Sequence, residues 1–94
     1  MIRSWKTPVA KAIFEGRDPG KGFPQELVAV TRRKLARIND AGRVDDLRVP
    51  PGNRLHLLSG DRVGQWAISI NDQWRICFSW REGDAHDVEL VDYH

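Results

Sequence analysis

The sequence predicts an α+β fold, two helices packed on one face of a twisted antiparallel sheet in the order β-α-α-β-β-β-β, with residues 1–94 forming a single domain. Three observations predict it. Apolar residues recur at helical spacing between Pro24 and Asp40. From Gln65 to Arg81 they alternate with polar residues at a period of two, and short turn signals punctuate the second half. Finally, 94 residues, 40% hydrophobic and 30% charged, suffice for one modest core and are too few for two.

The elements follow in order. Met1 to Trp5 alternates enough for a short first strand. Thr7-Pro8 reads as a helix start, with Thr7 as N-cap, Pro8 in the first helical position and Gly16 as the stop. Arg17 to Pro24 holds two prolines and two glycines and reads as a loop. Gly16, Gly20 and Lys21 within it do not make a phosphate-binding loop, because only three residues separate the glycines and Gly22 stands where a Ser or Thr is needed. Pro24 opens a longer helix to about Asp40, whose Leu27, Val28, Thr31, Leu35 and Ile38 share one face and whose end is capped by Gly42. Everything after Asp45 reads as β. The expected strands are Asn53 to Leu58, Gln65 to Ile70, Trp74 to Arg81 and Asp87 to Tyr93, joined through Ser59-Gly60-Asp61, Asn71-Asp72-Gln73 and Glu82-Gly83-Asp84. In the third of these, Trp74, Ile76, Phe78 and Trp80 face the core, and Arg75, Cys77, Ser79 and Arg81 face away.

Composition excludes several classes. No run approaches the roughly 20 apolar residues of a membrane span, and Met1 to Phe14 lacks the continuous apolar stretch of a signal peptide. A single cysteine, Cys77, rules out an internal disulfide framework and a cysteine zinc site, and points to a reducing, cytoplasmic setting. Three histidines without tight spacing give no metal site, and no cofactor fingerprint is present. The net charge of +2 is unevenly spread. Met1 to Ala41 carries nine basic and four acidic residues, whereas Gly42 to His94 carries six and nine. A basic first half fits nucleic acid or an acidic protein partner, and equally a solvated helix face.

A few residues can carry chemistry. Arg75 lies mid-strand on the side opposite four large apolar residues, where its fork can bind a phosphate or pair across strands with Asp87 or Glu89. Asp92-Tyr93-His94 gathers a carboxylate, a phenol and an imidazole in three residues. His56 alternates between Leu55 and Leu57, on the side shared with Arg54.

Several ordered motifs then carry a resemblance. Asp46-Leu47-Arg48, Pro50-Pro51-Gly52-Asn53-Arg54-Leu55 and Leu58-Ser59-Gly60-Asp61-Arg62 are followed by Gly64-Gln65-Trp66-Ala67-Ile68 and Asn71-Asp72-Gln73-Trp74-Arg75-Ile76-Cys77-Phe78, with Val91-Asp92-Tyr93-His94 at the end. Together with the Met1-Ile2-Arg3-Ser4 start and the basic second helix, they resemble the HigB toxins, the plasmid-maintenance killer proteins of the RelE/ParE superfamily. The resemblance implies a compact α+β toxin of a type II toxin-antitoxin system. Such a toxin is a ribosome-dependent endoribonuclease that cuts mRNA in the small-subunit decoding site, without a cofactor. It is held inactive by a HigA-like helix-turn-helix antitoxin, through which alone it meets operator DNA. The family's catalytic arginine matches Arg75, its active-site histidine His56, and its C-terminal group Asp92, Tyr93 and His94. A lysine found in some members three residues after the histidine is Ser59 here, so either Arg54 or Arg62 supplies the charge or the rate is lower.

The implied chemistry explains those residue types. The 2′-OH of RNA attacks the adjacent phosphorus and displaces the 5′-oxygen, so the protein must align the groups, neutralise the phosphorane and move protons. Arg75 stabilises charge, Asp92 or His56 is the base, His94 the acid, and Tyr93 orients the nucleotide. Arg32, Arg33, Lys34 and Arg37 on the second helix, with Arg54 and Arg62, would meet RNA phosphates without reading sequence. The competing readings are a ParE-like DNA gyrase inhibitor, which has no need of that arginine and C-terminal group, and a catalytically weakened homologue that binds only RNA or antitoxin.

Overall fold

Two layers meet in the computed structural model, which describes residues 1–93. Helix α1 (Pro8–Phe14) and helix α2 (Val28–Asp40) cover one face of a four-stranded antiparallel sheet, β1 (His56–Leu57), β2 (Gln65–Ser69), β3 (Trp74–Arg81) and β4 (Asp84–Asp92), in sequential order. Each hairpin follows from its turn chemistry. The β3–β4 loop is the pair Glu82-Gly83, both at positive φ (53° and 82°), the tight turn whose twist matches its strands. At the β2–β3 turn, Asn71 Oδ1 accepts bonds from the backbone N–H groups of Gln73 and Trp74, at 2.9 and 2.7 Å.

The alternation of β3 places Ile76 and Phe78, both fully buried, under the helices. There they join Ile13 of α1, Leu35 and Ile38 of α2, and Ile68 of β2 in the main core. Trp66, Ile70, Trp74 and Trp80 pack at its margin, and Phe23 from the long loop meets Trp74 edge to face. Of the expected helix stripe, Thr31, Leu35 and Ile38 are buried, while Leu27 and Val28 pack against the core only partly covered.

Several expectations are corrected. Met1 to Trp5 is not a ladder strand of an antiparallel sheet, since its β-bridges to β4 are two isolated parallel ones, Ile2 with Ala85 and Trp5 with Val88. Between the two bridged positions β4 bulges, with Asp87 and Val88 opposite Phe78 and Asp87 at a left-handed φ of 54°. Ser4 fits the bulge, its Oγ accepting the Asp87 N–H at 2.8 Å. The bulge also brings Ala85 and Val88, three residues apart, onto one buried face. The last strand therefore starts at Asp84, earlier than Asp87.

The stretch after Asp45 is not all β, and the strand expected over Asn53 to Leu58 shrinks to two residues. Val44–Arg48 and Pro51–Asn53 form 3-10 turns, and Arg54 is left-handed. The second helix enters through a 3-10 turn at Gln25–Leu27 and is α-helical only from Val28. Gly42 does not cap it in a left-handed conformation. The helix ends at Ala41 in extended backbone, and the Gly42 N–H instead bonds Asp46 Oδ2 at 3.2 Å. Thr7 stands at the N-cap of α1 without a side-chain capping bond, whereas Gly16 (φ 79°) ends that helix as expected.

Candidate active site

The sheet face turned away from the helices holds the site. Cross-strand partners share a face, so the register puts His56, Ala67, Cys77 and Glu89 in one row, and Ser69, Arg75 and Val91 in the next. Sequence alternation treated this side as polar, yet it has its own small core, Leu58, Ala67 and Cys77 with Val91 against them. Burial there pushes the Cys77 thiol above its ordinary range.

On this floor stands Arg75. Its guanidinium carbon lies 4.0 Å over the Tyr93 ring, a cation–π contact. Its Nη1 is 3.2 Å from His56 Nε2, and its Nε is buried without a hydrogen-bond partner among the described residues. The other ring nitrogen, His56 Nδ1, is 2.8 Å from the Arg54 carbonyl oxygen. A guanidinium only donates and a carbonyl only accepts, so both bonds form together with one proton arrangement: Nδ1 carries the hydrogen and Nε2 presents its lone pair to Arg75. The pairing of Arg75 with Asp87 or Glu89, left open from sequence, does not form. Glu89 Oε2 instead accepts from Arg62 Nη1 at 3.0 Å and meets Lys6 Nζ at 3.4 Å, and Asp87 is engaged by Ser4.

The remaining candidates divide. Tyr93 joins His56 and Arg75, but the register pairs Asp92 with Trp74 and so sets it toward the helix side of the sheet, where both carboxylate oxygens accept from Gln73 Nε2 at 3.1 and 3.2 Å. Adjacent residues at a strand end point to opposite faces, which the sequence triplet concealed. His94 lies outside the described residues. Of the two arginines named as replacements for the lysine absent at Ser59, Arg62 is committed to the buried Glu89, whose bond raises the guanidinium pKa. Arg54 stays exposed, its Nη1 4.0 Å from the fully exposed Asp72.

The basic helix lies behind the sheet from this cluster. Arg33 is exposed, but its neighbours are tied down: Arg32 Nε donates to the Ile13 carbonyl at 2.8 Å, and Arg37 Nη2 to the Val49 carbonyl at 2.8 Å. Lys34 Nζ donates to Asn53 Oδ1 at 2.6 Å, and burial, reinforced by Arg33 and Arg37, lowers its pKa. Val30, Arg33, Lys34, Arg37, Pro50 and Asn53 line a groove of about 530 Å³ here. Sequence reasoning gave Asn53 and Gln73 no role and read Glu89 only as a partner of Arg75, and only the turn-dense Pro50-Pro51-Gly52 run signalled that backbone groups near Asn53 would need a partner. Among the described residues, no group of three or more His, Cys, Asp or Glu side chains is placed to hold a metal, and no helix is long and apolar enough to cross a membrane.

Solved structures share this fold. A chain of the YoeB-YefM complex from Staphylococcus aureus superposes with a TM-score of 0.61 at 13% identity, covering 100% of this chain and 98% of that one. YafQ from E. coli strain BL21(DE3) gives 0.55 at 12% identity, covering 98% and 93%. The chain belongs to the HigB-like toxin family, whose model, the RelE-like toxin of the type II toxin-antitoxin system HigB, matches residues 3–94, and it is thereby a RelE-like toxin. It is similar to Endoribonuclease HigB of Proteus vulgaris, at 35% identity over 94 residues covering all of both chains. It is also similar to Toxin HigB-1 of Vibrio cholerae serotype O1, at 39% over 90 residues, 96% of this chain and 95% of that relative. The protein is thus the toxin of a type II toxin-antitoxin system, and its partner is an antitoxin.

Proposed function

We propose that this single-domain toxin is an mRNA endoribonuclease that works on the ribosome, cutting RNA by attack of its own 2′-OH, without a metal, at the His56–Arg75–Tyr93 cluster. The observation that carries the reading is the guanidinium of Arg75, held between the His56 imidazole at 3.2 Å and the Tyr93 ring at 4.0 Å. The relative from Proteus vulgaris, an endoribonuclease by name, aligns with the chain from end to end and supports it.

In the reaction the 2′-oxygen bonds to phosphorus as the P–O5′ bond breaks, leaving a 2′,3′-cyclic phosphate and a 5′-hydroxyl. Arg75 gives up its bond to His56 for the phosphate oxygens and stabilises the phosphorane charge, a role worth roughly 10²–10³ in rate for one such group. His56 Nε2, its lone pair already facing that position, takes the 2′-OH proton. Asp92, bonded to Gln73 on the other side of the strand, is the weaker candidate base and steadies the strand end that presents Tyr93. Tyr93 orients the nucleotide beneath Arg75, and His94, by its match to the family's C-terminal group, gives a proton to the 5′-oxygen. Arg33 and Arg37, with Arg32 and Lys34 beside them, dock on ribosomal RNA phosphates, and Arg54 is the exposed cation nearest the site. A HigA-like helix-turn-helix antitoxin restrains the toxin in the cytoplasm and alone touches operator DNA.

The test is to incubate the purified toxin with naked message and with the same message on programmed ribosomes, and to map the ends. Cuts on the ribosome ending in 2′,3′-cyclic phosphate are expected. Efficient cutting of naked RNA, or growth arrest by a soluble Arg75→Ala variant, would overturn the reading in favour of a free nuclease or of a non-nucleolytic toxin.

A further inference from the structure

The tautomer of His56 depends on a carbonyl, and that carbonyl depends on a buried amide. Arg54 presents its C=O to His56 Nδ1 only because it sits in the left-handed region, at φ 50° and ψ 46°, a conformation a non-glycine residue adopts at a cost of about 1 kcal/mol or more. Something must hold it there. Directly before it is Asn53, only 2% exposed although it lies in a surface turn. Its side-chain Nδ2 donates to the carbonyl of Leu47 at 3.1 Å and reaches that of Val49 at 3.5 Å. Its Oδ1 accepts Lys34 Nζ from α2 at 2.6 Å. The backbone N–H groups of Asn53 and Arg54 close the turn onto the carbonyls of Pro50 and Pro51, at 3.0 Å each. Every polar atom of the Asn53 amide is thus used to fasten the turn to the Leu47 segment on one side and to helix α2 on the other.

We propose that Asn53 is a positioning residue for the cleavage reaction: by fastening this turn it holds Arg54 left-handed, so that the Arg54 carbonyl fixes the His56 proton on Nδ1 and leaves Nε2 bare toward Arg75. The proposal rests on the reading of His56 as the base. A ring free to flip or to exchange tautomers spends part of its time with a hydrogen on the nitrogen that must accept one, and it loses the alignment that makes proton transfer fast. The same chain of contacts gives Lys34 a task besides meeting phosphates, because its ammonium is the outermost anchor of the turn.

The experiment reads the His56 ring nitrogens by ¹⁵N NMR in the full-length toxin, assigned against His56→Gln, together with single-turnover cleavage on programmed ribosomes. In the wild type the proton is expected on Nδ1. A proton found on Nε2 overturns the proposal at once. In Asn53→Ala both tautomers should become populated, and the cleavage step should slow by about 10- to 100-fold with ribosome affinity unchanged. Asn53→Asp, which keeps the acceptor for Lys34 but lacks the donors to Leu47 and Val49, should shift the tautomer in the same direction. A folded Asn53 variant with unchanged ring nitrogens and only a lower Tm would show an ordinary structural anchor and overturn the idea. Should neither variant fold, Lys34→Met removes the outer anchor together with one docking cation, so it is read by the His56 ring nitrogens in the free toxin and not by cleavage, with a smaller shift of the same sign expected and no shift counting against the proposal. Failure of the wild type to cleave would defeat the proposed function instead, and the NMR result is independent of it.

Discussion

The two faces of the sheet are built from the same strands and behave differently. Along β3, Ile76 and Phe78 enter a core closed by two helices, while Arg75 and Cys77, one residue away in each case, lie on the open side. The helix side is apolar and continuous, and fully burying side chains such as Phe78, Ile68 and Leu35 contributes roughly 1.5–3 kcal/mol each. The open side buries Leu58, Ala67 and Cys77 together with the polar Ser69 and Glu89, and on that thin floor it holds groups that stability alone would not select. Arg75 Nε is one, a buried donor without a partner among the described residues, at a cost of about 1–3 kcal/mol. One side of the pleat specifies the fold, and the other holds the cluster proposed to carry the chemistry.

Substitutions along β3 and around it separate the two. The largest effect is expected from Phe78→Ala, which opens a cavity in the helix-side core and should cost about 3–5 kcal/mol, measured by urea unfolding. Arg75→Ala should do the reverse, losing roughly 10²–10³ in ribosomal cleavage while the unfolding midpoint stays near that of the wild type. A large fall in stability instead would mean that the open face is also part of the core. Behind the sheet, reversing Arg33 and Arg37 to Glu should weaken ribosome binding and reduce its salt slope by about one for each phosphate no longer neutralised. Cleavage should recover at higher toxin concentration, because the His56–Arg75 pair is untouched. Loss of antitoxin binding with unchanged ribosome binding, in a pull-down, would assign this surface to the other partner.

The smallest effect concerns the edge that joins the faces. Asp84 accepts from the Met1 ammonium at 3.1 Å and from Arg3 Nε at 3.0 Å, and the Arg3 bond, followed by that of the N-terminus, holds its carboxyl below the ordinary value. A carboxyl lowered in the folded state stabilises above its unfolded pKa, and that contribution fades as pH falls through the folded one. Wild type should therefore melt slightly above Asp84→Asn near neutral pH, and the difference should vanish in acid. A gap that persists in acid would make the clasp a matter of shape and not of charge.

How much of this was legible in sequence follows from the range of the forces involved. The alternation read over Gln65 to Ile70, which forms a strand as far as Ser69, that of Trp74 to Arg81, the Glu82-Gly83 turn, the Pro8 start and Gly16 stop of α1, and the Thr31, Leu35 and Ile38 part of the α2 stripe are written in local sterics and periodicity, and the structure keeps them. Arg75 was legible too, as the one basic residue in mid-strand opposite large apolar neighbours. Its partners were legible only through the family match, and not from periodicity or spacing. His56 lies 19 residues away and reaches Arg75 only through the pairing of β1 with β2 and of β2 with β3, while Asp92 is parted from Tyr93 by the pleat of a strand whose register only its partner sets. Likewise the bulge at Asp87, the parallel docking of Ile2 and Trp5, and the left-handed Arg54 secured by Asn53 each answer to groups far along the chain or to a buried amide that needs partners. Local sequence sets the elements and the faces they bury, because side-chain period and turn conformation act within a few residues. Which polar groups meet is left to the packed chain, because register and the satisfaction of buried donors are settled only when distant segments come together.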